Sequence, residues 1–285
     1  MRSPLPITVA FVALSLCAAC QTPAQQRADT LHDAHLVAND SSSTVAMRFA
    51  PPDGFSRAAV PDGGFEHYLR NLPLKPRTAA VHLFNGSSKI RQDVHAAVID
   101  MSVGPTDLQQ CADAVMRLRA EFLFANGRQD DIAFNFTSGF KAEWGRWRKG
   151  ERIAVEGNAC RWVPGSTVDA SHAQLLHYLG RVFTYAGTLS LSKELRDAAT
   201  SPLRPGDVFI QGGSPGHAML VIDVAEGSDG RMAFLLAQSY MPAQDIHLVK
   251  NSRHPELGAW FILNGDDRLY TPEWTFAWSD RKNWP

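Results

Sequence analysis

Between Leu203 and Asp223 the chain places two apolar runs, Val208–Ile210 and Ala218–Ile222, on either side of the loop Gln211-Gly212-Gly213-Ser214-Pro215-Gly216-His217. Each run predicts a buried strand, because Val, Ile and Phe fit a pleated surface and Gly or Pro stands close by. Any fold of this chain has to bury both. His217 ends the loop and begins the second strand, with Gly216 and the small Ala218 beside it leaving room around the ring. Such a place suits an acid–base histidine that meets a substrate. It also suits a histidine that only ties down a loop.

The rest of the last third is expected to continue the sheet. Ala218–Val224 and Met232–Ser239 predict an antiparallel hairpin across Glu226-Gly227-Ser228-Asp229-Gly230, with further strands at Ile246–Val249 and Ala259–Leu263. Upstream, Ala79–Phe84, Val94–Met101 and Asp131–Thr137 read as strands, and Phe65–Leu72 as a short helix. A long helix is expected to run to about Asn126, with Thr106 as N-cap and a stripe of Leu108, Cys111, Val115, Leu118 and Phe122. A second is expected over Ser171–Ala186 on Leu175, Leu176, Leu179, Val182 and Phe183, and a shorter one over Ser190–Ala199. Trp144 and Trp147 fit core anchors of a short helix, although a carbohydrate platform is the alternative, and Gly157–Cys160 reads as a loop. Helices in the middle and strands late predict an α+β fold.

The first residues differ from the remainder. Arg2 precedes an uncharged, mainly apolar stretch from Leu5 to Ala19, too short to span a bilayer comfortably, which predicts a signal peptide over residues 1–19. Leu16-Cys17-Ala18-Ala19-Cys20 resembles a bacterial lipobox, which implies lipidation at Cys20 and a lipid-anchored protein exported to the bacterial cell envelope. Cleavage after an Ala is the alternative. Residues 20–45, rich in Gln, Ala, Asp and Ser, read as a flexible tether to one α+β domain over 46–285. That leaves Cys111 and Cys160 in the folded part, either as one disulfide or as free thiols. The net charge of −1 provides no basic excess for nucleic acid.

Pro205-Gly206-Asp207-Val208-Phe209 followed by Gly216-His217-Ala218-Met219-Leu220-Val221-Ile222 resembles the NlpC-type cell-wall cysteine peptidases of the papain-like group. The resemblance implies a papain-like core. It assigns the catalytic histidine to His217, the residue orienting it to Gln238 on the next strand, and the nucleophile to Cys111, the helical cysteine. A thiol attacks as thiolate, which an imidazole and a helix N-terminus both favour, and the third residue holds the tautomer of the imidazole. Backbone N–H groups, with Gln110, would hold the oxyanion. With Thr106 as cap, however, Cys111 falls in the second turn, where the helix dipole has faded, and its place on the apolar stripe also fits an inert core thiol.

Leu108–Leu118, Phe183–Leu191, Ser214–Val221 and Leu235–His247 more specifically resemble an exported bacterial family known as domain of unknown function 4846, over most of Phe65–Tyr270. This implies an envelope location and no particular activity. Together the expectations are a thiol hydrolase or acyltransferase acting on peptidoglycan peptide or a related amide. The alternative is a non-catalytic envelope lipoprotein binding peptide or glycan through the loop that carries Gln238, Tyr240, Gln244 and Asp245. No cofactor or metal is expected. His172 and His177, five apart, do not share a helical face, and Gly212-Gly213 lacks the Lys-Ser or Lys-Thr of a phosphate loop. Gly212–Gly216 has the letters of a Gly-x-Ser-x-Gly elbow, but Pro215 leads into a strand rather than a helix, so Ser214 is not a candidate nucleophile. Asp207 and Asp223 are expected in structural turns.

Overall fold

The computed structural model describes residues 43–165, 167–263, 265 and 267–285. The expected signal peptide, Cys20 and all but the last three residues of the tether lie outside the described residues, as do Ser166, Asn264 and Asp266.

The chain order begins with α1 (Val45–Arg48), β1 (Phe55–Arg57), α2 (Phe65–Arg70), β2 (His95–Val98) and α3 (Cys111–Ala125). It continues through β3 (Ala133–Asn135), β4 (Lys141–Glu143), α4 (Trp144–Trp147), β5 (Glu151–Glu156), β6 (Ala159–Pro164), α5 (His172–Tyr185), α6 (Thr188–Glu194) and β7 (Arg196–Asp197). Strands make up most of the remainder: β8 (Val208–Gln211), β9 (His217–Gly227), β10 (Met232–Gln238), β11 (His247–Val249), β12 (Trp260–Ile262), β13 (Arg268–Tyr270), β14 (Thr275–Ala277) and β15 (Arg281–Asn283).

The class is α+β. A nine-stranded sheet runs β2-β11-β10-β9-β8-β15-β7, with β1 added to β9 and β12 to β10. Every pairing in it is antiparallel. The two runs that opened the sequence reading are its centre, paired Val208↔Leu220 through Gln211↔His217. Their apolar residues are nearly continuous because both faces of the sheet are covered. Ala218, Leu220 and Ile222 join Val208 and Ile210 in a core with Val115, Leu118 and the other helices. Met219, Val221 and Val224 face the other way, onto Phe209, Phe234, Leu269 and Phe276. A register shift where Leu235 and Leu236 pair with Asp223 and Val221 bends the β9–β10 pair.

Asp207 closes the turn from Arg204 as expected, its N–H donating to the Arg204 carbonyl at 3.2 Å and its Oδ2 accepting the Arg204 N–H at 3.1 Å, whereas Asp223 lies within β9 rather than in a turn. Asp223 is fully buried and accepts from Nε of both Arg57 and Arg70 at 2.7 Å, tying β1 and α2 to β9. Asp207 is buried against Arg281, which binds the start of β8 to β15.

Three other expectations need correction. Residues 79–84 form no strand but only isolated bridges, His82↔Ser88 and Leu83↔Gln244. Cys160 lies in the β5–β6 hairpin rather than a loop, paired with Val155. The long helix starts not after Thr106 but at Cys111, with Gln110 as N-cap. Residues 106–110 do not wind because their side chains are committed elsewhere. Asp107 Oδ1 accepts from the Ala243 N–H at 2.6 Å, and Gln109 Oε1 from Arg117 Nη1 at 2.9 Å. Trp144 and Trp147 are buried on either side of Tyr178, as core anchors.

Candidate functional site

The corrected start of α3 places Cys111 in its first turn. Gln110 stands at the N-cap, and Asp113 at the third helical position reaches back so that its Oδ2 accepts the Gln110 N–H at 3.0 Å. The first-turn N–H groups of an α-helix have no intrahelical partner, and those of Cys111 and Ala112 lie against the Cys111 sulfur. The thiol is free, as is that of Cys160, so the disulfide alternative does not hold. Cys111 is 8% exposed. Burial pushes its thiol up to about 11, and the Asp113 charge adds to this. The backbone N–H groups of Ala112, Ala218 and Cys111 itself pull the other way.

The Ala218 N–H belongs to the residue after His217, so the first turn of α3 meets the start of β9. Cys111 and His217 line one cavity of about 530 Å³, together with Gln110, Thr188, Tyr240 and Trp274. A second cavity, of about 430 Å³, shares Leu108 and Phe183 with the first. The backbone at Gly216 has no room for a side chain. A Cβ there would strike the Gly213 carbonyl and Thr188 Oγ1, so glycine is what allows the loop to turn tightly into His217.

His217 is almost enclosed. Its ring lies 4.9 Å from that of Tyr240, 5.2 Å from Trp274 and 6.0 Å from Phe276. Burial lowers it to about 4, against a smaller upward pull from Gln238, so the ring is neutral at neutral pH. Its Nε2 is 2.8 Å from Gln238 Oε1. Gln238 Nε2 in turn donates to Glu273 Oε2 at 2.7 Å and lies 3.2 Å from His247 Nε2. Lys89 Nζ closes this chain on Glu273 Oε2 at 2.8 Å, with both side chains largely buried.

Of the residues singled out by sequence, Cys111, His217, Gln238 and Tyr240 therefore converge. Gln244 and Asp245 do not line the cavity. Gln244 is buried, and Asp245 turns inward to Lys75 Nζ at 3.0 Å and the His82 N–H at 2.9 Å. The loop thus does not present its four polar groups together, because Asp245 fastens residues 75–82 to the sheet and Gln244 Nε2 donates back to the Pro242 carbonyl at 3.0 Å. Gln110 lines the cavity, but its Nε2 donates to Asp107 Oδ1 at 3.1 Å.

Lys89, Glu273 and Trp274 escaped the sequence reading. Glu273 and Trp274 sit in the turn between β13 and β14, where Thr271 Oγ1 donates to the Trp274 carbonyl at 2.8 Å. The indole N–H reaches Gln211 Oε1 at 3.1 Å, which holds the ring beside His217. The adjacent Pro272-Glu273-Trp274 was the one local signal, and it carries no spacing that points to the site.

The chain matches the profile of the family described as Domain of unknown function (4846) over residues 45–282, and it belongs to that family. No curated protein and no solved structure matches it.

Proposed function

We propose that this member of the domain of unknown function 4846 family is a thiol hydrolase or acyltransferase with a papain-like core, acting on peptidoglycan peptide or a related amide. The observation that carries the reading is that a free Cys111, in the first turn of α3, and His217 line one cavity, while Gln238 engages Nε2 of His217. A helix bearing the thiol against an antiparallel sheet, with the histidine opening one strand and its orienting residue ending the next, supports the papain-like comparison.

In this reading the resting pair is neutral, because Cys111 is held high and His217 low. His217 Nδ1 takes the thiol proton as the sulfur attacks the amide carbonyl carbon. The N–H groups at the head of α3 and of Ala218 stabilise the negative charge that develops. As the C–N bond breaks, His217 returns the proton to the leaving amine, and the acyl group remains on sulfur as a thioester. Water then releases the acid, or a second amine takes the acyl group. Export and anchoring through Cys20 would bring this chemistry to the cell envelope.

The test is labelling of the purified protein with iodoacetamide and mass spectrometry of each cysteine, in wild type, Cys111→Ala and His217→Ala. Cys111 should label at neutral pH and lose at least a hundredfold in rate in His217→Ala, with Cys160 as the internal reference. Labelling of Cys111 that ignores His217 refutes the pair. Release of new amines from peptidoglycan fragments by wild type, absent in Cys111→Ala, would identify the bond.

A further inference from the structure

We propose that Glu273 is a positioning residue of this site: with His247 it fixes the Gln238 amide so that His217 carries its proton on Nε2 and keeps Nδ1 free for Cys111. The use of that free nitrogen rests on the hydrolase reading above, whereas the proton positions follow from the hydrogen bonds together with the neutrality of two buried rings.

A glutamine amide has one accepting and one donating end, and which end faces a neighbour is settled by what that neighbour can do. Glu273, beside the Lys89 ammonium, presents a carboxylate oxygen 2.7 Å from Gln238 Nε2. An oxygen that accepts from Lys89 as well has nothing to donate, so the amide end facing it is the NH₂ group.

His247 gives the same answer from a second side. Its Nδ1 lies 2.9 Å from the Asp245 carbonyl oxygen, which can only accept, so Nδ1 bears the proton. Burial lowers His247 to about 3 and keeps the ring neutral, so its Nε2 is an acceptor. That acceptor is 3.2 Å from Gln238 Nε2 and takes the second amide N–H.

Both N–H bonds of the amide are thus used, and the end left for His217 is Oε1, at 2.8 Å from His217 Nε2. Oε1 accepts only, so Nε2 must be the protonated nitrogen. In a neutral ring this leaves a lone pair on Nδ1, the state a general base requires. The Lys89–Glu273 pair lies far from Cys111 in sequence, yet through one amide it selects the tautomer of the histidine.

The experiment reads the tautomer directly from the ring nitrogen shifts of His217 by NMR on the full chain at pH 7. Wild type should show Nε2–H alone, and Glu273→Gln, which keeps an accepting oxygen in place, should do the same. The exchanged pair, Lys89→Glu with Glu273→Lys, retains the opposite charges but offers Gln238 a donor. It should populate the Nδ1–H tautomer and slow Cys111 alkylation at least tenfold. An Nδ1–H ring in wild type overturns the proposal without need of any variant. So does a folded exchanged pair with an unchanged tautomer. The expected tautomers with an inert Cys111 would support the positioning role of Glu273 and refute the hydrolase reading.

Discussion

Asp113 provides a quantitative test of how α3 begins. It is the third residue of the helix and almost wholly buried. One carboxyl oxygen accepts the Gln110 N–H, while Oδ1 has no partner among the described residues. Burial therefore pushes the carboxyl from 3.8 up to about 8, the Gln110 N–H only partly opposing it. A raised value means that the folded chain holds this proton more tightly than the unfolded chain. Its contribution to stability is fully present below about pH 4 and is lost as pH rises through about 8. Each unit in that window costs ~1.4 kcal/mol, which amounts to about 4 kcal/mol by pH 7. Asp113→Asn stays neutral throughout and keeps an oxygen for the Gln110 N–H. Urea unfolding at pH 4, 6, 7 and 8.5 should show little difference at the lowest pH. The variant should become more stable by several kcal/mol as pH rises, levelling off above about 8. Relaxation around the charge would flatten the slope but not reverse it. A difference that is constant across this range would refute the reasoning, because the carboxyl would then titrate as it does in the unfolded chain.

Arg281→Met strands the Asp207 carboxylate inside the sheet and should cost about 3–5 kcal/mol in urea unfolding at pH 7; since burial raises Asp207, the loss should shrink toward acid, where the carboxyl is neutral. Adding Asp207→Leu should recover most of it. Trp274→Ala opens one side of the His217 ring to water. As desolvation is the largest cause of its low value, the ring should then titrate above about 4, read by NMR or by the pH at which Cys111 alkylation declines. An unchanged value would mean that other walls of the cavity keep the ring dry.

Legibility of the fold followed the range of the interactions involved. The strands β8, β9 and β10 are visible as short apolar runs bounded by turn residues, and the apolar face of α5 because its residues repeat at the helical period. The tryptophans of α4 were readable as anchors for the same reason. The head of α3 lies four residues later than its sequence suggests. Thr106, Asp107 and Gln109 have the composition of a helix start, but tertiary bonds to Ala243 and Arg117 claim two of those side chains. The error mattered chemically, since it moved Cys111 from the second turn to the first. Gly157-Asn158 has the composition of a turn, and the two residues do make one, but the turn belongs to a hairpin that carries Cys160 in its second strand.

Sequence alone determined that His217 begins a buried strand, that Gln238 lies on the next and that Cys111 lies on a helix, since each of these rests on local pattern. Only the tertiary structure decided that Cys111 opens its helix against that strand, that Tyr240 joins the cavity while Gln244 and Asp245 leave it, that Trp274 packs on the histidine ring and that Lys89 and Glu273 reach it through Gln238. The physical reason is that a strand or a helix is written in the run or the periodicity of its own apolar residues. The orientation of an amide, by contrast, is set by acceptors brought together from positions 238, 247 and 273, and no local pattern records that meeting.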